Sequence, residues 1–434
     1  MKTYVILFIF LQCLLQDLCS ASDSFPRGVH IAFVGPSSIA ISFYTRSDAP
    51  SALPWVLIAE QNYTGTTTKS VSRYHHDVIV SDLKAGESYE YEVGVGGSSV
   101  NGFSYSPIDI SSSNFKVAFV GDMGVNNSAA TISALMKKHS DYSWIHHVGD
   151  ISYADDASVK IEPSSGSGYD EVYDLFQDSL QDITSSTPYM VSPGNHDVTC
   201  RVTSDLGCPK QQRNFSAFRQ RWRMPSIESG ASTVEHHNVW YSYRVGNVHF
   251  VSIDTESDFP NAPTKPTTKI GGGAGGGFGD QLSWLKSDLQ AANSDPTIDY
   301  IVAMGHRVFY SSSLTDWPLN AVKHVSSAFE PIFKDFNVDL YICGHKHFYE
   351  RGSPAYNNKP VERGLVQIVN GAAGCNEGVQ GEGKGKGHHL IVKGNYEDTG
   401  YGELEVREGE MVWRYVLSEG GGVDDEVVIK SKRS

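Results

Sequence analysis

Between residues 115 and 347 an apolar run ends five times in a glycine followed at once by an acid, an amide or an imidazole. The endings are Gly121-Asp122, Gly149-Asp150, Gly194-Asn195, Gly305-His306 and Gly344-His345. Runs such as Lys116-Val117-Ala118-Phe119-Val120 and Trp144-Ile145-His146-His147-Val148 are short and stop at glycine, so they read as buried strands ending in turns. Helical stretches near 129–139, 172–182 and 280–292 lie between them, which predicts an α/β layered domain. In open α/β sheets, ligands bind beyond the carboxyl ends of the strands. A single Gly-Asp turn or strand-end His carries little weight. Five in succession restrict the chain to a fold that gathers them.

Together the turns supply Asp122, Asp150, Tyr153, Asn195, His306, His345 and His347. This is a set of hard oxygens and imidazoles without thiolate, suited to Fe, Zn or Mn. Seven donors, one of them shared, suit two neighbouring metals. Asp150 can offer one carboxylate oxygen to each metal, and Tyr153, three residues on, can return its phenolic oxygen to one of them. Phenol loses its proton only near pH ~10. Phenolate ligation at ordinary pH therefore calls for a strongly acidic ion such as Fe(III).

The 434 residues leave room for two or three domains, and 40% hydrophobic against 20% charged residues argues against disorder. Fifty acidic residues face 35 basic ones, for a net charge of −15. That disfavours nucleic acid as a partner and leaves an anionic substrate dependent on local positive charge. Residues 25–111 carry short aromatic and β-branched runs that predict a β-sandwich without a catalytic constellation. Runs at 366–369, 402–406 and 411–416 are expected to return as strands to the catalytic core. The run Gly271 to Gly277 lacks the Lys-Ser/Thr ending of a P-loop and reads as a surface loop.

Residues 1–21 read as a signal peptide, and no later stretch is long and apolar enough to span a bilayer. A secreted or lysosomal/vacuolar protein with no membrane partner is expected. Cys13 and Cys19 leave with the signal, and Cys200 with Cys208 closes a short loop suited to a disulfide. Cys343 and Cys375 either pair or stay as free thiols. Sequons at Asn62, Asn126 and Asn214 agree with glycosylation on the secretory route.

Five blocks now carry a resemblance. They are Gly121-Asp122-Met123-Gly124, Gly149-Asp150-Ile151-Ser152-Tyr153, Gly194-Asn195-His196-Asp197, Ala303-Met304-Gly305-His306 and Gly344-His345-Lys346-His347. In this order they resemble the blocks of the purple acid phosphatases within the calcineurin-like metallophosphatase superfamily, and Tyr153 is the feature that separates those enzymes from the rest. The resemblance covers nearly the whole mature chain. It implies an α/β (α+β) four-layer metallophosphatase β-sandwich flanked by helices, preceded by an all-β fibronectin III-like domain. Residues 25–111 would form the latter, 114–360 the dimetal domain and 361–434 the strands that complete it.

The resemblance further implies Fe(III) on Asp122, Tyr153 and His347, and a divalent Zn, Mn or Fe on Asn195, His306 and His345, with Asp150 bridging. It implies acid phosphatase activity on small phosphate monoesters through attack of a metal-bound hydroxide. His196 would donate the proton and, with Asn195, contact the phosphate. Two cations about 3.5–4 Å apart clamp a phosphate and neutralise charge in an in-line displacement. A phosphodiesterase or pyrophosphatase on the same core is the alternative enzyme, and a non-catalytic binding protein the alternative from another class. Three positions depart from the family pattern. Asp197 stands where many members have Glu, Ala303 replaces Val, and Phe309-Tyr310-Ser311-Ser312-Ser313 lacks the paired His of plant members. His324 either substitutes for that pair or is a surface helical residue. Arg307 either steers phosphate or forms a structural ion pair. His146, His147, His236, His237, His249, His388 and His389 fit no motif and are expected in the core or on the surface.

Overall fold

Short β-branched strands with glycine turns between them set the N-terminal architecture. Arg27–Gly35, Ser38–Thr45, Tyr74–Ser81 and Thr66–Lys69 form one four-stranded sheet. Gln61–Thr64, Pro54–Ile58, Tyr89–Val95 and Ser98–Tyr105 form a second. Val29, Ile31, Ile41, Val56, Val78 and Val93 are fully buried and fill the space between them. The computed structural model describes residues 23–46, 52–156, 168–201, 207–226, 238–262, 275–313, 320–380, 388–407 and 409–433. Residues 1–21, 271–274, His236 and His237 lie outside these, so the leader, most of the glycine run and two of the histidines singled out above are not described.

The rest of the chain is built on two larger mixed sheets. In the six-stranded one, Tyr189–Ser192, Trp144–Val148 and Phe115–Val120 run parallel. Gly400–Arg407, Glu410–Leu417 and Val423–Ile429 extend it antiparallel. In the seven-stranded one, Val248–Ser252, Tyr300–Met304, Leu340–Cys343 and Val366–Asn370 run parallel. The expected C-terminal strands thus return to both sheets. Strands buried on both faces read as continuous apolar runs, which is why the motif-bearing runs lack alternation. Trp144 knits the layers together, its ring 5.3 Å from Phe115 and 5.2 Å from Phe250.

Helices Ala129–Lys138, Gly168–Thr184, Gln281–Ser294 and Ala321–Asp335 flank the sheets. Asp280 caps the third by accepting the Ser283 N–H at 3.1 Å. Gly168–Thr184, the longest, also receives the N-terminal sandwich. Arg73 and Arg46 donate to Asp174 at 2.8 and 3.1 Å, Ser72 to Asp170 at 2.6 Å, and Tyr44 to Asp178 at 3.0 Å.

Cys200 and Cys208 form a disulfide, whereas Cys343 and Cys375 are buried free thiols. Each of the latter has its own neighbour, Ile368 O for Cys343 at 3.3 Å and His347 Nδ1 for Cys375 at 3.0 Å. Asn62 and Asn126 are exposed. Asn214 is half-buried, its amide bonded to Gly276 N and O at 2.7 and 3.1 Å, and with Asp258 it fastens the described end of the glycine run.

His146 and His147 are core residues, as expected, and so are His30 and His76. Burial pushes His30 and His76 down to about 4, and His146 and His147 to about 3. The unfolded chain takes each proton near pH 6.5, well before the folded chain does. Their stability contribution is therefore complete above 6.5 and is lost as pH falls toward 4 and 3. His76 sits between Thr45 Oγ1 and Thr67 Oγ1 at 3.1 and 2.9 Å. Replacing it with Gln should lessen the fall in unfolding free energy between pH 6.5 and 4 by up to about 3 kcal/mol. Denaturant titrations at a series of pH values read this directly, and an unchanged pH slope would contradict it.

Candidate dimetal centre

Each of the five motifs turns where its strand ends, and three of the turns are strained in the same sense. Asp122, Asp150, Tyr153 and His345 all have left-handed backbones, with φ of 57°, 57°, 54° and 68°. Such conformations cost of order 1–3 kcal/mol each and persist only where the surroundings enforce them. Gly149, at φ 89°, has no room for a side chain, because a Cβ would lie 2.5 Å from His306 Nδ1. A Cβ on Gly194 would likewise collide with the Asp150 backbone nitrogen. The glycines therefore let motifs from different strands touch.

Three motifs come from the first sheet and two from the second, and they interlock. His306 Nδ1 donates to Val148 O at 3.0 Å, and Asp122 Oδ2 accepts the His345 N–H at 2.8 Å. The side chains then gather into two groups. In the first, Tyr153 OH lies 3.1 Å from Asp122 Oδ1, 2.9 Å from His347 Nε2 and 3.4 Å from Asp150 Oδ2. In the second, His306 Nε2 lies 3.1 Å from Asn195 Oδ1 and 3.1 Å from Asp150 Oδ2. His345 closes this group, with donor atoms of Asp150, His306 and His345 all within 4.8 Å of one another. One oxygen, Asp150 Oδ2, faces both groups. All seven residues named from the sequence are brought together, six of them buried and His345 half-buried.

The charges of this set act strongly on one another. His306 is pushed up to about 9, because the Asp150 charge overcomes burial. His347 rises to about 10 against burial through its hydrogen bond to Asp122 and the neighbouring Cys375. Asp150 is burdened by burial, yet the His306 and His196 charges hold it well below the usual carboxylate range. Burial and then Asp122 push Tyr153 up. His345 is driven down by burial and by Arg307, so it faces the site as a neutral ring. Two carboxylates, three imidazoles, a phenol and an amide converging in a buried space fit two hard or borderline cations.

His196 stands beside the shared oxygen, Nε2 3.9 Å from Asp150 Oδ2, and its ring lies 4.3 Å from Tyr153. Burial opposes charge on it, but Asp155 and Asp150 outweigh that and raise it well above 6.5. Arg307 is a buried ion pair, donating to both oxygens of Glu256 at 2.8 and 2.9 Å. The ion pair is thus present, and Arg307 Nη1 also lies 3.2 Å from His345 Nε2 at the edge of the site. His324 stands on the first turn of Ala321–Asp335, and among the described residues its ring bonds to none of the seven. Away from the centre, a cleft of about 570 Å³ lies between the sandwich and the catalytic region, lined by Phe33, Pro36, Ile110 and Tyr243.

Comparison with known proteins places the chain in a family. The calcineurin-like phosphoesterase family matches residues 115–349, more than half of the chain. The purple acid phosphatase N-terminal domain matches 26–108, and the iron/zinc purple acid phosphatase-like C-terminal region matches 364–426. Acid phosphatase A of Cryphonectria parasitica is 32% identical over 376 residues, which is 73% of each chain. The chain belongs to the purple acid phosphatases. As a member of that family it is an enzyme of the acid phosphatase class. An acid phosphatase of Aspergillus ficuum is 28% identical over 479 residues, covering 82% of this chain and 76% of its own. The purple acid phosphatase from yellow lupin seeds superposes with a TM-score of 0.73 at 18% identity, over 94% of this chain and 75% of the lupin chain.

Within this phosphatase fold, several supporting residues are not among the seven expected donors. Asp155 accepts His196 Nδ1–H at 2.9 Å. Asp197 accepts the N–H groups of Gly194 and Asp150 at 2.8 and 3.0 Å and of Ile151 at 3.2 Å, so it fixes the turn that aims Asp150. In the sequence its departure from Glu looks minor, because the position is not a ligand. Thr255 Oγ1 accepts the N–H groups of His306 and Arg307 at 3.3 and 3.0 Å. Asp155 and Asp197 stand within two residues of Tyr153 and Asn195, and that proximity is a local signal. Thr255 and Glu256 lie far from any motif in sequence and carry none.

Ligation requires neutral imidazoles, and His306 and His347 keep their protons until about pH 9 and 10. Metal uptake at pH 7 should therefore release at least two protons, and apparent affinity should fall as pH is lowered from 9. Calorimetric titration of the metal-free protein in buffers of different ionisation enthalpy measures the release. Zero release at pH 7 would show that these two rings are not displaced from their protons.

Proposed function

We propose that this acid phosphatase hydrolyses phosphate monoesters at a dinuclear centre of Fe(III) and a divalent Zn, Mn or Fe. The observation that carries the reading is the convergence of two donor groups on Asp150 Oδ2, with His196 Nε2 3.9 Å from it. Asp122, Tyr153 and His347 would hold the trivalent ion, Asn195, His306 and His345 the divalent one, and Asp150 both. Bound there, the two cations supply positive charge that orients the phosphate and offsets the charge developing during displacement.

The rest of the work falls to side chains. Asp150 Oδ1 accepts the His196 backbone N–H at 2.8 Å, which seats that residue beside the shared oxygen. Asp155 takes His196 Nδ1–H, so the remaining proton sits on Nε2, facing the site. Burial opposes a charge on His196, while the neighbouring Asp155 and then Asp150 favour it. His196 is then the group that hands a proton to the departing alkoxide. Asn195 and His196 together would contact the phosphate. The Cys200–Cys208 disulfide supports passage through the secretory route, and no described helix is long and apolar enough to cross a membrane. We read the location as secreted or lysosomal/vacuolar, with Asn62 and Asn126 the accessible glycan acceptors, while a glycan on Asn214 would have to coexist with its bonds to Gly276.

Phenolate bound to Fe(III) should give a broad visible band that Tyr153→Phe removes or greatly weakens. A colourless wild-type protein carrying its full iron would sink the assignment. His196→Ala should keep both metals and the band while turnover falls ~10²–10⁴-fold. The loss should be larger on an alkyl phosphate than on an activated aryl phosphate, whose leaving group needs little help. Equal losses would assign His196 to phosphate binding, and faster turnover of a diester than of either monoester would favour the phosphodiesterase reading.

A further inference from the structure

The outer nitrogen of His347 has an unusual neighbour. Its Nε2 faces Tyr153 OH at 2.9 Å and Asp122 Oδ1 at 3.3 Å, while its Nδ1 lies 3.0 Å from the sulfur of Cys375. Histidines that ligate metals nearly always donate their second N–H to a carboxylate, a backbone carbonyl or water. Here the carboxylate oxygen on that side, Glu377 Oε2, is farther from Nδ1 than the sulfur, at 3.7 Å, and is partly exposed. The thiol is buried at 1% exposure and lies 3.5 Å from Gly378 O, to which it donates. The order of donation is thus His347 Nδ1–H to Cys375 Sγ–H to Gly378 O.

The loop that carries this thiol is fastened to the first motif. Asn127 Nδ2 donates to Cys375 O at 2.8 Å, Gly124 N to Gly374 O at 3.2 Å, and Ala373 N to Gly121 O at 3.2 Å. Gly374, at φ 107°, passes so close to the Asn127 carbonyl that a Cβ would overlap it. The sulfur therefore has a fixed position relative to Asp122, the residue that shares the inner face of the His347 ring.

We propose that Cys375 is the positioning residue of His347. Its sulfur accepts Nδ1–H, holds the ring plane, and leaves Nε2 as the nitrogen presented to Asp122 and Tyr153. This rests on the reading of His347 as a metal ligand. The thiol touches neither substrate nor metal and acts only through the imidazole.

Three variants test it, read by chelator competition for bound metal and by the visible band, with thermal melting as a control for folding. Cys375→Ala should weaken retention of the metal held with Tyr153 by ~10–100-fold and shift or broaden the band, because lost outer partners of ligating histidines typically cost that much. Cys375→Ser, whose hydroxyl can accept the same N–H, should recover most of the loss. His347→Ala should lose that metal outright. If His347→Ala loses the metal while Cys375→Ala retains it like wild type, the positioning role is wrong and the ligand reading survives. The positioning role is equally wrong if Cys375→Ala only lowers the melting temperature, or if Ser behaves no better than Ala. If His347→Ala itself keeps metal and band, the ligand assignment falls and the positioning role falls with it.

Discussion

One carboxylate oxygen cannot face two groups of donors unless its backbone is held on every side. Asp150 has a left-handed backbone, its N–H is taken by Asp197, and its Oδ1 is occupied by the His196 N–H. Only Oδ2 remains to look into the pocket. The neighbouring glycine has no side chain because the His306 ring lies against it. Every other distance in the centre is measured from that fixed point, and the strain in the turns is carried by two large sheets whose cores are closely packed. A flexible loop bearing the same residues would gather them only part of the time.

Much of this is readable in the chain. The five glycine-ended runs mark the strands, the strand ends mark the donors, and the seven expected donors all meet in one place. Legibility fails where a residue acts at a distance. Cys375 reads as a candidate for a second disulfide because pairing by parity ignores direction, and its sulfur points at an imidazole. Arg307 invites a role in phosphate binding because it follows His306, yet Glu256, from another strand end, neutralises it. Asp197 stands out only as a departure from a pattern, since backbone-directed hydrogen bonds leave no periodic trace. The N-terminal sheets are legible as a sandwich, but not the run of arginines and tyrosines that docks them on helix Gly168–Thr184.

The buried charges also explain why the same molecule answers to protons in two ways. At the centre, carboxylates raise His306 and His347 against burial, whereas burial and Arg307 lower His345. In the sandwich and the first large sheet, burial dominates and histidines stay neutral. The sign depends on the balance between burial and the charges of the neighbouring side chains. Acidic surroundings thus test the scaffold and the pocket through different residues.

The first catalytic strand, Phe115–Val120, is flanked by Trp144–Val148 on one edge and by Gly400–Arg407 on the other. Its second edge stays bare until the chain beyond residue 400 exists, and the outer partner of His347 waits for residue 375. During synthesis the early motifs emerge long before the strands that clamp them. Contacts so distant along the chain are closed late and slowly. The sheet beneath the pocket is therefore completed only by residues far along the chain. A chain cut short of residue 400 lacks the strand that closes this edge.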